Sequence, residues 1–247
     1  MSKHSQMYLD HVMEMLQKIS STQEKAMEET AEKMAETIVS GGSIFLFGPG
    51  HAGIFTQDMY HRAGGLILAN PILHPGTLVS NRPITTTSEL EKLPGSGVLV
   101  LNSVPIKSGD MLIIHSVAGR IPIVTEMAVE ARKRGIFVSS IINMEFAKNV
   151  TSFDPTGNML YDVSDVVIDD CGDFGDASIL IDGMKQKVAA TSTITASFIG
   201  HTLEIRACEL LLERGFNPPV VNSTNVDGGD EENRRLLEEY KDRIHYL

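Results

Sequence analysis

The hydrophobic positions change period along the chain, and this pattern predicts helices followed by alternating strands and helices. Between residues 4 and 39, apolar side chains recur every three to four positions with Glu and Lys between them, as in amphipathic helices. Ser20-Ser21-Thr22 predicts a break into two helices, because Ser and Thr favour caps over helix interiors. Residues 44–47 are wholly apolar, which is typical of a strand buried on both faces of a parallel sheet.

The remaining segments continue this alternation. We expect further strands at 66–69, 111–115, 137–142 and 163–169, and helices at 51–62, 121–134, 191–214 and 231–246. Residues 70–108 contain five prolines and predict an insertion with a helix at 89–93 and a strand at 98–101, or alternatively a mobile lid. The alternation favours an α/β fold with a doubly wound parallel sheet. We interpret residues 1–247 as one domain, with N-terminal helices at 1–40, a core at 41–215, and a C-terminal tail and helix at 216–247.

The net charge, the cysteine spacing and the lack of long apolar runs argue against several classes of protein. The chain has 247 residues, 42% hydrophobic and 21% charged, with a formal net charge of −11. This charge argues against nucleic-acid binding, which needs a basic face. Cys171 and Cys208 have no metal-ligand spacing, so we predict free thiols, no metal and no cofactor. Without a signal peptide or an apolar run of roughly 20 residues, we expect a cytoplasmic protein that does not enter a membrane.

Two glycine turns, each between an apolar strand and a helix, carry the clearest chemical signal. The first is Gly48-Pro49-Gly50 after residues 44–47, and the second is Ser116-Val117-Ala118-Gly119 after residues 111–115. Such turns expose backbone N–H groups at a helix start, where an anion is favoured. The pair predicts a phosphorylated small molecule at the carboxyl ends of the strands.

These segments resemble a SIS (sugar isomerase) domain. The resemblance rests on the two turns and on two further segments, Glu130-Ala131-x-x-x-Gly135 and Ala190-Thr191-Ser192-Thr193. A largely uncharacterised bacterial SIS group, often labelled phosphoheptose isomerase, is similar in further segments: His51, Tyr60-x-Arg62-Ala63-Gly64-Gly65, Cys171-Gly172-x-x-Gly175-Asp176-Ala177 and Asn225-Val226-Asp227-Gly228-Gly229-Asp230. The resemblance implies a flavodoxin-like, five-stranded parallel sheet with helical additions at both ends, a homodimer or homotetramer, and a sugar-phosphate ligand.

The predicted phosphate and sugar site follows from the turns and from the resemblance. Its residues are Gly48, Gly50, His51, Ala52, Ser116, Gly119, Arg120, Thr191, Ser192 and Thr193. Ala52, Ala118 and Ile121 stand where the family usually has polar side chains, so the alternative is a degenerate turn kept for packing. Thr191-Ser192-Thr193 predicts a helix N-cap, a phosphate ligand, or both.

The candidate catalytic residues are Asp58, His51, His201 and Glu204. On a helix, Asp58 lies about 10 Å from the N-terminus, within reach of the carbons of a sugar phosphate bound there. It is a candidate base for enediol proton transfer, or alternatively an ion-pair partner of Arg62. His201 is a substitute for the histidine that the resemblance implies near Ala196 or Ser197, or alternatively a structural histidine.

Three residues complete the prediction. Asp176 is a candidate ligand for sugar hydroxyls, whereas the other acidic residues of 169–182 are interpreted as solvated carboxylates. Asn225 and Asp227 are expected to reach the ligand cleft, including that of an adjacent subunit, and the alternative is a turn with a helix cap. The sequence therefore predicts a sugar-phosphate isomerase or a related enzyme that uses enediol proton transfer. The alternative is a non-catalytic sugar-phosphate sensor.

Overall fold

Five parallel strands form the central sheet. The computed structural model describes residues 1–247. The sheet strands are β1 Ile44–Phe47, β2 Ala69–Pro71, β3 Met111–His115, β4 Phe137–Ile142 and β5 Val166–Asp169. Their order is β2-β1-β3-β4-β5, all parallel, which confirms the predicted flavodoxin-like, doubly wound sheet. The chain moves from β1 to β2 on one side and then from β3 to β5 on the other side of β1. In such sheets a crevice opens at the carboxyl ends of the two strands where the direction changes, here β1 and β3.

Helices cover both faces of the sheet, and further helices precede the first strand and follow the last one. They are α1 Lys3–Thr22, α2 Glu24–Val39, α3 Gly53–Met59, α4 Thr85–Glu91, α5 Ser96–Leu101, α6 Pro122–Lys133, α7 Met144–Lys148, α8 Ser192–Glu213 and α9 Gly229–Tyr240. No helix is both long enough and apolar enough to span a bilayer.

The side chains of β1 alternate between two hydrophobic cores. Ile44 and Leu46 pack with α2, α3 and α8, whereas Phe45 and Phe47 pack with α5 and α6. Because successive side chains of a strand point to opposite faces, a wholly apolar strand must be covered on both sides. The α3 and α8 layer and the α5 and α6 layer therefore lie on opposite faces of the sheet.

The insertion between β2 and β3 differs from the prediction. The strand expected at 98–101 is wrong, because these residues belong to α5. Gly95, at φ +88°, begins this helix, and the Glu126 carboxylate accepts hydrogen bonds from the N–H groups of Gly95 and Gly97. A four-residue apolar run fits a buried strand and a buried helix equally well, so tertiary contacts decide.

Other boundaries moved by a few residues. The first two helices separate at Gln23 rather than at residues 20–22, α3 is shorter than the predicted 51–62, and β2 begins at Ala69 rather than at residue 66. The pattern also missed α7 and an antiparallel hairpin of β6 Ala177–Ile179 and β7 Val188–Ala190. Strands of three residues are too short to give a periodic signal.

Candidate functional site

The two glycine turns meet in one cleft at the carboxyl edge of the sheet. β1 and β3 are adjacent, with Phe47 beside Ile114, so the turns that follow them lie side by side. The cleft has a volume of about 410 Å³ and is closed on its third side by the segment that contains α4. Its lining residues are Pro49, Gly50, His51, Ala52, Val79, Ile84, Thr87, Ser88, Glu91, Ser116, Val117, Ala118, Gly119, Arg120 and Ile121.

The turns present backbone donors that the protein leaves unused. Gly50 and Gly119 adopt left-handed φ angles of +57° and +59°, a conformation that glycine adopts without strain. Their own N–H groups are bonded, to Thr77 O at 2.8 Å and to Ser116 Oγ at 3.3 Å. Beside them, the following N–H groups form no hydrogen bond within the protein: His51, Ala52, Val117, Ala118 and Arg120. A group of open donors at a switch point favours an anion.

Arg120 supplies a cation to the same cleft. Its guanidinium lies 3.6 Å from the centroid of the Phe153 ring, and Nε is buried without a hydrogen-bond partner. The Phe153 N–H donates to the Arg120 carbonyl at 2.8 Å, which fixes the backbone of the turn. No carboxylate pairs with this guanidinium, so its charge is available to a ligand.

Glu91 is a titratable residue of the cleft that the sequence prediction did not include. It is the last residue of α4, and its Oε1 lies 2.9 Å from the position that a Cβ atom at Gly50 would occupy. The carboxylate forms no hydrogen bond and no ion pair, and burial raises the pKa of Glu91 to about 6. A signal was present in the spacing of Thr87, Ser88 and Glu91, which place three polar side chains on one face of a helical turn.

His115 stabilises the first glycine turn through a hydrogen bond from the protein interior. It is fully buried at the end of β3, and its Nδ1–H donates to the Ala52 carbonyl at 3.2 Å. Burial lowers the pKa of His115 to about 4, so the imidazole is neutral. Gly48 has a related role, since a Cβ atom there would lie 2.4 Å from the Ala52 carbonyl oxygen. Both residues shape the turn without lining the cleft.

A carboxylate of the protein itself accepts the hydrogen bonds at the N-terminus of α8. Asp176 Oδ1 accepts from the N–H groups of Thr191 at 3.1 Å and Ser192 at 2.8 Å, and Oδ2 accepts from the Ser192 hydroxyl at 2.8 Å. Asp176 therefore caps the start of α8 from outside the helix, whose N-cap residue is Thr191. Thr191, Ser192 and Thr193 do not line the cleft.

Asp58, His201 and Glu204 form a second polar cluster, between α3 and α8. Asp58 is paired with Arg62 and lies 3.2 Å from His201 Nε2, and His201 Nδ1 lies 3.2 Å from Glu204. The hydrogen bond with Glu204 raises the pKa of His201. Glu204 also accepts from the Leu66 N–H at 3.0 Å. None of these side chains lines the cleft described above.

Asn225 and Asp227 are exposed on the segment that precedes α9. The backbone of the preceding residues is tied to the loop after α3, through bonds between Val221 and both Gly64 and Gly65. Within one chain, this segment does not line the cleft.

A comparison with known proteins places this architecture in a family. Residues 7–143 match the model of the SIS domain. This chain belongs to the SIS domain family. Among curated relatives, a UPF0309 protein of Oceanobacillus iheyensis is 43% identical over 97% of this chain and 98% of its own length. A UPF0309 protein of Shouchella clausii is 42% identical over the same shares.

Solved structures share the SIS fold at low identity. A phosphoheptose isomerase from Francisella tularensis is 12% identical, with a TM-score of 0.54 over 85% of this chain and 100% of that one. A phosphoheptose isomerase, GmhA, from Neisseria gonorrhoeae is 14% identical, with a TM-score of 0.53 over 83% and 97%. At these identities, the likeness shows the SIS fold of the chain, as predicted from its motifs.

Proposed function

We propose that this SIS protein binds a phosphorylated sugar in the cleft between the two glycine turns and transfers a proton between adjacent carbons of that sugar. The observation that carries the proposal is the group of unused backbone N–H donors, joined by the unpaired guanidinium of Arg120. By contrast, the N–H groups of Thr191 and Ser192 at the start of α8 already have Asp176 as their acceptor. The phosphate is therefore assigned to the turns, with Ser116 and Arg120 beside it.

The proton transfer is assigned to Glu91. Isomerisation through an enediol needs a base that removes the proton from the carbon next to the carbonyl and returns it to the neighbouring carbon. A carboxylate with a pKa of about 6 is close to the ideal for this task near neutral pH. His51, exposed at the same cleft, is the candidate partner for the sugar oxygen.

Asp58 is a weaker candidate in this arrangement. Its two oxygens already have Arg62 and His201 as partners within the protein, so the carboxylate is not free to act on a ligand. The Asp58, His201 and Glu204 cluster also lies near the far end of α3, away from the open donors. We therefore assign it to the packing of α3 against α8.

Binding is the first test. Thermal unfolding is followed with inorganic phosphate and with pentose, hexose and heptose phosphates, because a ligand that binds only the native state raises its stability. We expect a rise in midpoint that is lost in Arg120→Gln and kept in Arg234→Gln, a matched change at an exposed arginine of α9 outside the cleft. No stabilisation by any phosphate would refute the proposed ligand class.

Proton exchange is the second test. A bound sugar phosphate is incubated in D₂O, and the loss of its carbon-bound proton is followed by NMR. We expect Glu91→Gln to slow exchange about 10²–10⁴-fold, whereas Glu89→Gln, on the exposed side of the same helix, leaves it unchanged. Exchange lost in Asp58→Asn but kept in Glu91→Gln would reverse the assignment. Binding without exchange would identify a non-catalytic sugar-phosphate sensor.

A further inference from the structure

Phe153 is an aromatic residue whose place in the structure is not explained by burial. It is 47% exposed and belongs to neither hydrophobic core. The centroid of its ring lies 3.6 Å from Cζ of Arg120 and 5.5 Å from Nζ of Lys92. Both cations are within the range of about 6 Å over which the face of an aromatic ring attracts positive charge. The ring therefore contributes here through its face.

Hydrogen bonds on both sides of Phe153 fix its loop beside the second glycine turn. The Phe153 N–H donates to the Arg120 carbonyl, and the Leu160 N–H donates to the Gly119 carbonyl, both at 2.8 Å. Asp154, in the same loop, is buried and accepts from a threonine hydroxyl of α6 at 2.7 Å. The loop is thus attached to the turn and to α6, so the backbone that carries the ring is held without a ligand.

An aromatic face holds a guanidinium without using its donors. A carboxylate partner would accept hydrogen bonds from the guanidinium and neutralise its charge. A ring instead contacts the plane of the group, so the N–H groups at its edge stay free to donate. In a chain with a formal net charge of −11, the Arg120 Nε is buried and has no hydrogen-bond partner. The partner of this arginine is therefore one that leaves its charge available to an anionic ligand.

We infer that Phe153 is a positioning residue for phosphate binding, because its ring holds the guanidinium of Arg120 in the cleft before the ligand arrives. The inference rests on the proposed function, in which Arg120 binds the phosphate. It goes further by assigning a role to a residue that does not itself line the cleft. An unsupported arginine side chain samples many rotamers, and their loss on binding reduces affinity. The ring restricts this side chain on folding, so that part of the loss occurs before phosphate binds.

The first test measures the affinity for inorganic phosphate by calorimetry in the parent protein, in Phe153→Leu and in Phe153→Tyr. Leucine keeps an apolar side chain without an aromatic face, whereas tyrosine keeps the face. We expect Phe153→Leu to bind phosphate about 3- to 30-fold more weakly, the effect of one cation–π contact, and Phe153→Tyr to stay within about 2-fold of the parent. Phe174→Leu is the matched control, because Phe174 is 54% exposed, packs against the Phe146 ring and does not line the cleft.

Double mutants identify the cation on which the ring acts, because Lys92 faces the same ring. Arg120→Lys keeps the charge but removes the flat group that stacks. In that background we expect Phe153→Leu to weaken binding by no more than about 2-fold. In the Lys92→Met background, the full effect of Phe153→Leu is expected to remain. A residue that only supports the local fold would weaken binding equally in every background, and urea unfolding checks that each variant is folded.

The outcomes separate this inference from the proposed function. Unchanged affinity in Phe153→Leu, with phosphate bound by the parent, overturns the inference and leaves phosphosugar binding intact. An equal loss in Phe153→Leu and Phe153→Tyr also overturns it, because the aromatic face then has no effect. So does a loss of the same size in the Arg120→Lys background. A parent protein that binds no inorganic phosphate overturns the inference, and if the sugar phosphates also fail to bind, the proposed function fails with it.

Discussion

The carboxylate of Asp176 caps the N-terminus of α8. Its removal tests whether the backbone donors at the start of this helix stabilise the fold rather than bind a ligand. Asp176 accepts three hydrogen bonds, two of them from the backbone N–H groups of Thr191 and Ser192. Thr191 is 0% exposed and Ser192 is 5% exposed, so their N–H groups have little access to water. Asp176→Ala therefore leaves two buried donors unsatisfied.

The magnitude follows from these contacts. Loss of an N-cap costs about 0.5–2 kcal/mol, and each buried donor left unpaired costs about 1–3 kcal/mol. These terms overlap, so we expect about 3 kcal/mol from the cap. The backbone of Asp176 is left-handed, at φ +68°, which Ala tolerates less well than Asp and which adds about 1 kcal/mol. Asp176→Ala is thus expected to lower the free energy of unfolding by about 4 kcal/mol.

Asp176→Asn separates the effect of the negative charge from the effects of the acceptor oxygen and of the left-handed backbone. Asn keeps an acceptor oxygen and tolerates the left-handed backbone, so its expected loss is about 1 kcal/mol. Unfolding in urea is followed by far-ultraviolet circular dichroism, with Asp182→Ala as a control. Asp182 is exposed in the β6–β7 turn and accepts no hydrogen bond. A loss below about 1 kcal/mol in Asp176→Ala, similar to the control, would refute the capping argument.

Three further perturbations test the packing and electrostatics. Gly200→Ala would place a Cβ atom 2.7 Å from both Met59 Sδ and the Phe55 ring, so we expect a loss of about 1–3 kcal/mol in urea unfolding; an unchanged midpoint would contradict the close contact between α3 and α8. Arg243→Met removes a half-buried donor to the backbone carbonyls of Ile38 and Gly42, between the end of α2 and the start of β1. We expect a loss of about 2 kcal/mol by the same assay, and a loss within experimental error would count against this contact. Folding raises the pKa of Glu91 from 4.5 to about 6, so between these pH values the folded state binds more protons than the unfolded state. The free energy of unfolding therefore falls as pH rises through this window. Glu91→Gln is therefore expected to raise the thermal midpoint relative to the parent protein more at pH 7.5 than at pH 5, and an equal difference at both pH values would refute the shift.

Much of the sheet could be predicted because its strands are buried on both faces. The bounds of β1, β3 and β4 agree with the sequence prediction, since mostly apolar runs between turn residues have few other interpretations. The run at 98–101 is equally apolar, yet it forms part of a helix. Its conformation depends on Gly95 and on a carboxylate of α6, and no local pattern contains that contact.

The sequence by itself determined where an anion is favoured, because a strand, a glycine turn and a helix start are local features whose geometry follows from nearby residues. Tertiary structure decided which of these donors stay open. The Asp176 carboxylate, distant along the chain, accepts from the Thr191 and Ser192 N–H groups at the start of α8. By contrast, the N–H groups of His51, Ala52, Val117, Ala118 and Arg120 in the two turns have no acceptor within the protein. Tertiary structure also brought Glu91 to the same cleft. Such contacts join residues far apart in sequence, so periodicity and local propensity carry no record of them.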